Sequence, residues 1–430
     1  MLGMTLALRL AEKGVRVTLL EAEAAPGGLA VPDTIGGFQW DRFYHVMLMS
    51  DRNLGRLMTD LDLSEAVHWK QTRTGFYGDG RLHSLSSSLD FARFPLLSFP
   101  DKARLAATIL WASRVRNPLP LEQEPVETWL RRWSGDRVVN RVWLPLLRSK
   151  LGDNYRIASA AFIWAIIARM YAARRTGLKK EMFGYVEGGY ARIIAALRAR
   201  LDELGVQFER QARVVEVNGN DNSATIQLAD GRVLHAGQAV LTLPCSSILQ
   251  VCPWLTVAER ERLDSVVYQG IICASVLLRR PLAGYYVTNI VDDGIPFTGV
   301  IEMTALVDPN TFGGHSLVYL PRYLAQDDPA WLQDDAELSA AFMVGLRRMY
   351  PDLQPGDVVD LRIARARQVL AVSTLDYSRR CLPDFETSLP NIFVANSAQI
   401  AHGTLNVNET IAVAESAARM LTAGSSRAAA

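Results

Sequence analysis

The amino-terminal residues show the apolar spacing of a helix followed by that of a buried strand. Apolar side chains recur at helical spacing from Leu6 to Ala11, and Gly14 follows. Residues 15–20 then form a largely apolar run rich in β-branched side chains, which ends at Glu21. The chain is therefore predicted to begin with a helix that leads into a strand.

Further along, the pattern changes twice. Residues 76–83 read as a strand, a Gly-Asp-Gly turn and a returning strand, which predicts a hairpin. Residues 89–204 are almost wholly helical in spacing, whereas short strands follow from residue 205. The chain finishes with an apolar strand over 392–395, a glycine-containing loop and a helix from about 406 to 421. We expect the strands near both ends to complete one sheet, with other material inserted between them.

Composition narrows the class of protein. The 430 residues carry 46 basic and 45 acidic side chains, and the net charge of +1 provides no field that would attract nucleic acid. The four cysteines lack CxxC spacing and lie in apolar runs, which is typical of reduced structural thiols. A chain of this length predicts roughly two to three domains.

The sequence contains no segment typical of a membrane span. No stretch reaches about 18 uncharged apolar residues, and the first residues do not follow the pattern of a secretory signal. We expect a cytoplasmic protein, for which peripheral contact with a membrane stays open. The sequence indicates no oligomeric state.

Gly3 and Glu21 are spaced as in the second half of a dinucleotide-binding motif. Such a motif places a strand and a glycine-rich turn before a helix, and an acidic residue about 20 residues further on binds the ribose hydroxyls. Gly3 precedes the first predicted helix, and Glu21 ends the strand after it. With Gly3 as the last motif glycine, the first strand and two glycines would lie upstream of Met1. We therefore expect the natural gene to start upstream.

A second glycine turn follows the acidic residue directly. Gly27 and Gly28 have no Cβ, so the backbone amides of this turn are predicted to approach a phosphate closely. Leu29 and Ala30 continue the turn and belong to the same predicted cofactor contact.

Together these residues resemble a known family signature. Residues 2–23 followed by 26–30 are similar to the amino-terminal signature of flavin-containing amine oxidases, protoporphyrinogen oxidases, phytoene desaturases and UDP-galactopyranose mutases. The resemblance extends along most of the chain, to the 188–190 helix start, the 239–244 strand and the carboxy-terminal strand, loop and helix. It implies bound FAD.

The resemblance also assigns roles to single residues. It implies that Glu21 holds the adenosine ribose, that the Gly27–Gly28 turn lies on the pyrophosphate and that the backbone of Val214 meets the adenine. In the family an aspartate usually follows a glycine after the last strand and bonds the ribityl chain. Here Asn396 and Ser397 stand at that place, and an asparagine still hydrogen-bonds a hydroxyl without carrying charge.

The carboxy-terminal loop supplies the last predicted cofactor contacts, namely Gly403, Thr404, Leu405 and Asn406. Gly403 permits close backbone approach, and Asn406 is a good N-cap for the helix that follows. A helix amino terminus carries partial positive charge, which would stabilise the negative charge on a reduced flavin. The family places its corresponding loop against the pyrimidine edge of the flavin.

The resulting prediction is an α/β protein. A Rossmann-like FAD-binding domain would be assembled from residues 1–88, 205–265 and 385–425. A helical region over 89–204 and a sheet-rich region over 266–384 would form the substrate domain of mixed sheet and helices, and residues 426–430 a tail.

Candidate residues for the chemistry are few. His45 follows a segment with two aromatic residues and is a candidate general base or flavin contact. Tyr286, Tyr319 and Arg322 lie in the later strand-rich segment, where such families build the substrate cavity. The six histidines are scattered singly, so the sequence gives little support to a metal site.

We therefore expect an FAD-dependent oxidoreductase that removes a hydride from a C–N or C–C bond of a small or lipid-like substrate. One alternative is an isomerase of the UDP-galactopyranose mutase type, which acts on a sugar nucleotide with reduced flavin. A second alternative is a truncated, inactive scaffold.

Overall fold

The computed structural model describes residues 1–174, 182–220, 223–404 and 406–428. Its α-helices are α1 Leu2–Ala11, α2 Arg52–Asp60, α3 Ser88–Arg93, α4 Phe99–Ala112, α5 Val126–Ser134, α6 Asp136–Val138, α7 Leu144–Leu151, α8 Ala160–Arg174, α9 Gly189–Glu203, α10 Cys245–Val251, α11 Val257–Asp264, α12 Asp335–Met349, α13 Tyr377–Arg380 and α14 Val407–Ala428. Its strands are β1 Thr18–Leu20, β2 Pro32–Ile35, β3 Phe38–Asp41, β4 Met47–Leu48, β5 Val67–Gln71, β6 Thr74–Gly78, β7 Arg81–Ser84, β8 Met182–Val186, β9 Gln207–Glu209, β10 Val214–Gly219, β11 Ala224–Leu228, β12 Val233–Ala236, β13 Ala239–Leu241, β14 Tyr268–Leu278, β15 Val287–Ile290, β16 Gly299–Glu302, β17 Ser316–Leu324, β18 Val358–Ala371 and β19 Ile392–Val394.

Two short parallel sheets join strands that are far apart in the sequence. β1 pairs with β9, and β13 pairs with β19. Leu6 of α1 belongs to an apolar cluster that also contains Val17 beside β1 and Val240 of β13, so one helix covers both pairs. Both chain ends thus contribute to the α/β part, as predicted. The two pairs are separate sheets and not the single sheet we expected, because no described strand hydrogen-bonds to both.

The largest sheet has seven strands in the order β18-β14-β17-β16-β15-β6-β7, and its strands are antiparallel except for the parallel pair β15 and β6. β14 is buried along its whole length. Because side chains alternate along a strand, Ile271 and Cys273 face one apolar cluster, whereas Ile272 and Ala274 face another that includes α12.

The predicted hairpin is confirmed. β6 and β7 pair in antiparallel register from Gly75 opposite Ser84 to Gly78 opposite Arg81. Both residues at the tip have left-handed backbone, Asp79 with φ 51° and Gly80 with φ 71°. This is the turn geometry that matches the twist of two-residue hairpins.

The region from 89 to 204 is mainly helical, but it also contributes a strand. β8 pairs with β5 and β4, which precede the helices. The helical prediction missed this strand because its pairing depends on a distant partner. A Cβ on Gly184 would lie 2.8 Å from the Trp69 ring, so the glycine makes room for the indole across the sheet.

Replacing Phe342 tests the packing of α12 on the large sheet. The side chain is fully buried in the apolar cluster on that face. Phe342→Ala is expected to lower the free energy of unfolding by about 3 to 5 kcal/mol, because it leaves a cavity. Urea denaturation followed by circular dichroism measures the change. The control is Val344→Ala on the same helix, where the side chain is 67% exposed, and it should change stability by less than about 0.5 kcal/mol. Equal midpoints for the two variants would contradict the packing described here.

Candidate functional site

The Gly27–Ala30 turn lies between α9 and the large sheet. Gly27 has φ +128°, and a Cβ there would lie 2.7 Å from Cδ1 of Ile194 on α9. Ala30 is buried in the cluster that includes Ile194, whereas Leu29 packs against the apolar cluster of the large sheet. Gly27 therefore meets two requirements that only glycine satisfies easily, a left-handed backbone and close approach to a helix.

The structure brings Glu21 next to the segment that leads to Val214. The backbone N–H of Ala212 donates to the Glu21 carbonyl at 2.9 Å, and that of Glu21 donates to the Glu209 carbonyl at 2.8 Å. The amino group of Met1 is also close: burial lowers its pKa to about 6, and the Glu21 carboxylate acts in the opposite direction. The start of α1, Glu21 and Val214 thus form one edge of the candidate site.

Gly3 lies beside the end of β13. A Cβ on Gly3 would lie 3.4 Å from Oγ1 of Thr242, which follows that strand. The first turn of α1 is therefore placed between the two parallel strand pairs.

Asn396 uses its side chain within the protein. Its Oδ1 accepts from the N–H of Ala398 at 3.0 Å, and its Nδ2 donates to the Leu243 carbonyl at 2.9 Å. Ser397 opens the short 3₁₀ turn that this asparagine caps. The residue is only 2% exposed, so its side-chain amide holds the ends of β13 and β19 together.

Asn406 caps α14, as predicted. Its Oδ1 accepts from the Glu409 N–H at 3.0 Å, and its Nδ2 donates to the Thr404 carbonyl at 2.6 Å. In the loop before it, a Cβ on Gly403 would lie 2.7 Å from Cγ2 of Ile400, so this position is tightly packed. Leu405 lies outside the described residues.

Asn408, which sequence analysis missed, links α14 to α2. Its Oδ1 accepts from the backbone N–H groups of Asn53 and Leu54 at 2.8 and 3.2 Å. These donors belong to the first turn of α2, where backbone N–H groups have no partner within the helix. An asparagine in the first turn of a helix gave no sequence signal for this contact.

Asp41 connects His45 to α9 and to the large sheet. Its Oδ1 accepts from the Tyr190 N–H at 2.8 Å, and its backbone carbonyl accepts from the Tyr319 hydroxyl at 2.5 Å. Nδ1 of His45 lies 3.5 Å from the second carboxylate oxygen, and the His45 ring packs on Tyr190 with centroids 4.5 Å apart. His45 thus packs on Tyr190 beside a buried carboxylate, and its Nδ1 makes no hydrogen bond in the described part of the chain.

Tyr286 and Tyr319 share one apolar cluster on the large sheet, whereas Arg322 does not reach it. The cluster also contains Tyr44 and Tyr323, whose hydroxyls are 2.7 Å apart. The Tyr286 hydroxyl is buried and has no hydrogen-bond partner in the described part of the chain. Arg322 is three residues from Tyr319 on β17, so it points to the opposite face, where it lies 3.7 Å from Asp328.

Lys150 of α7, which the sequence favoured as a solvated surface cation, contacts this tyrosine cluster. Its Nζ lies 3.6 Å from the centre of the Tyr323 ring. Burial lowers the pKa of Lys150 to about 7. A lysine in a helical segment gave no signal for this contact, since it depends on α7 packing against β17.

A second buried carboxylate, Glu122, was also missed. It accepts from the hydroxyl and the N–H of Ser378 at 2.6 and 3.0 Å, and it lies 2.5 Å from Nε2 of His402. Glu122 precedes α5 in the helical region, whereas His402 precedes α14. The contact therefore ties the carboxy-terminal loop to the helical region.

Two features are absent from the described residues. They contain no group of three or more His, Cys, Asp or Glu side chains arranged to hold a metal ion. No described helix combines the length and apolar character that crossing a bilayer requires.

Comparison with solved structures supports the fold. A protein assigned as a protoporphyrinogen oxidase from Exiguobacterium sp. 255-15 aligns with a TM-score of 0.76 and 18% identity over 98% of this chain and 96% of that one. Putrescine oxidase bound to putrescine aligns with a TM-score of 0.76 and 16% identity over 98% of this chain and 96% of that one. Reduced UDP-galactopyranose mutase aligns with a TM-score of 0.73 and 16% identity over 97% of this chain and 93% of that one. At these identities the likeness shows the fold alone.

Comparison of sequences supplies the family. Hydroxyneurosporene desaturase from Cereibacter sphaeroides is 29% identical over 290 residues, which are 58% of this chain and 56% of that protein. The match thus spans little more than half of the curated relative. The model of the flavin containing amine oxidoreductases matches residues 2–421. Because that match covers almost the whole chain, the protein belongs to the flavin-containing amine oxidoreductase family.

Proposed function

We propose that the protein removes a hydride from a C–C or C–N bond of a small or lipid-like substrate bound at the tyrosine cluster. One observation carries the proposal. Leu29 of the glycine turn packs in the same apolar cluster as Tyr286 and Tyr319. A cofactor held by the turn and a substrate held by the tyrosines would therefore be neighbours. In this proposal residues 1–88, 205–265 and 385–425 bind FAD, and residues 89–204 and 266–384 form the substrate domain.

The residues present fit FAD at several points. Gly28 has φ +61° and no atom within 4 Å of the position of a Cβ, so the turn is open on the side where a phosphate would lie. Glu21 and Val214 lie on adjacent segments, where we place the adenosine. We assign the pyrimidine edge of the flavin to the capped amino terminus of α14, whose partial positive charge favours an anion.

Asn396 and Ser397 share the place at which the ribityl contact is predicted. Both ends of its side-chain amide are already bonded to protein groups. We therefore assign the ribityl contact to the neighbouring Ser397, and we assign to Asn396 the positioning of that serine.

The chain's own residues provide a dry and ordered site for the reaction. Bound FAD supplies the acceptor for the hydride. Apolar side chains such as Ile271 and Ile301 surround the tyrosines and exclude water. The unpartnered Tyr286 hydroxyl is available to bond the substrate, and His45 is our candidate proton acceptor because its ring packs on Tyr190 and its Nδ1 has no hydrogen-bond partner in the described residues.

The first prediction concerns the glycine turn. Gly27→Ala should reduce the FAD retained per protein chain severalfold, because the new Cβ meets Ile194 and moves the turn. The control is Gly205→Ala, a position with φ +73° and open space, which adds backbone strain without crowding. The measurement is the ratio of flavin to protein absorbance after gel filtration, with thermal unfolding as a check of the fold. Equal FAD content in the two variants would show that the turn does not hold the cofactor.

The second prediction concerns the reaction. The relatives' names provide two test substrates, hydroxyneurosporene for a C–C bond and putrescine for a C–N bond. Mixed anaerobically with the FAD-loaded protein, a true substrate should bleach the visible flavin absorbance, and its product should lack two hydrogen atoms by mass spectrometry. An isomerase would behave differently. If UDP-galactopyranose were converted by the reduced protein without a change of mass, the proposed net oxidation would be wrong.

A further inference from the structure

Besides the Tyr286 hydroxyl, three hydrogen-bond donors that α7, β14 and β17 bring to the tyrosine cluster have no acceptor in the described part of the chain. They are the Lys150 ammonium, the side-chain N–H group of Gln269 and one hydroxyl of the Tyr44–Tyr323 pair. Gln269 is fully buried and the other groups are half-buried, and donors in such positions are unfavourable without an acceptor, which a ligand would supply.

Lys150 is the charged member of the group. Its Nζ lies above the Tyr323 ring at 3.6 Å, and no described carboxylate pairs with it. A cation above an aromatic ring is only partly compensated, since such a contact contributes about 0.5 to 2 kcal/mol. Burial accordingly lowers the pKa of Lys150 to about 7. An anion beside the ammonium would restore its charge.

Gln269 lies next to the end of the helix that carries Lys150. It is fully buried, its Oε1 accepts from Nδ2 of Asn154 at 2.8 Å, and its Nε2 has no partner. Gly152, two residues after Lys150, faces this amide: a Cβ on Gly152 would lie 3.8 Å from Nε2. Ile271, two residues further along β14, lies opposite Tyr323 in the sheet.

The hydroxyl pair supplies the third donor. Tyr44 and Tyr323 share one hydrogen bond of 2.7 Å, so the hydroxyl that accepts it keeps its own proton. Burial raises the pKa of Tyr44 to about 12, and it also raises the pKa of Tyr323 well above its ordinary value. Both phenols therefore stay protonated at neutral pH.

The buried carboxylates near the tyrosine cluster each accept from a protein donor. Asp41 accepts from the Tyr190 N–H, and Asp51 pairs with Arg169 at 3.1 Å. Glu302 accepts from the N–H groups of Leu282 and Gly284 at 2.9 and 2.8 Å. This side of the sheet therefore offers several donors and a cation, whereas each of these buried carboxylates already bonds a protein donor.

We propose that Lys150, Gln269 and the Tyr44–Tyr323 pair bind the anionic group, a carboxylate, of an otherwise apolar substrate. The proposal rests on the proposed function for the position of the substrate, and it narrows the small or lipid-like substrates considered there to apolar acids. A phosphate of FAD has similar chemistry, and the experiment below separates the two sources.

Three ligands with the same twelve-carbon chain test the site, namely dodecanoate, dodecanol and dodecylamine. Calorimetric titration of the FAD-loaded protein should give a Kd for dodecanoate about tenfold lower than for dodecanol, since a hydrogen bond to a charged group contributes about 1.5 to 3 kcal/mol. Dodecylamine should bind most weakly. Lys150→Met should raise the dodecanoate Kd to the dodecanol value. The matched control is Arg148→Met on the same helix, whose guanidinium lies over Tyr155, and it should leave all three values unchanged.

Several results would overturn the proposal. One is an unchanged dodecanoate Kd in Lys150→Met, and another is tighter binding of dodecylamine than of dodecanoate. If circular dichroism shows that Lys150→Met does not fold, Gln269→Leu is the second variant, and it should weaken dodecanoate severalfold while sparing dodecanol. Dodecanoate that binds only after FAD is removed would assign the site to a cofactor phosphate and refute the substrate assignment. Because binding is measured without turnover, failure here is distinct from failure of the hydride transfer.

Discussion

The buried carboxylate of Asp41 is the interaction on which the site depends. A charge at 5% exposure is costly unless it is bonded, and Asp41 meets this cost by accepting from the first turn of α9, where the helix carries partial positive charge. The first residue of α9 is glycine for the same reason, because a Cβ on Gly189 would lie 2.9 Å from the same carboxylate oxygen. With Tyr319 bonded to its carbonyl and His45 beside it, Asp41 fixes β3, α9 and the large sheet relative to one another.

Glu122 is a second buried carboxylate that holds separate parts of the chain together, in this case the helical region and the carboxy-terminal loop. It faces Ser378 and His402, so it joins three stretches of chain that meet near the loop before α14. Asn408, at the start of α14, binds the amino terminus of α2. The loop assigned to the flavin edge is thus held from the helical region and from α2, and its geometry reflects contacts made far away in sequence. A polar contact of this kind also limits how far the helical region can move without disturbing the loop.

Local signals predicted local structure, and tertiary contacts explain what was missed. The hairpin at 76–83 and the Asn406 cap follow from turn and capping chemistry, and both are confirmed. The family and its cofactor were predicted from short glycine segments, because phosphate binding constrains backbone more than side chains. Lys150 was missed, since only the packing of α7 on β17 makes it more than a surface cation. Arg322 was a different case: its spacing from Tyr319 already placed the two on opposite faces of a strand.

Asn396 shows how a departure from the family pattern follows from the local hydrogen bonds. An aspartate there would accept from Ala398 just as well, but it has no proton to donate to the Leu243 carbonyl. A carboxylate oxygen would instead face the Leu243 carbonyl oxygen, and both atoms are acceptors. The position has almost no solvent contact, so an unpaired charge there is strongly unfavourable. The amide therefore suits a residue that joins β13 to β19 and leaves recognition of the cofactor to backbone groups and to its neighbour.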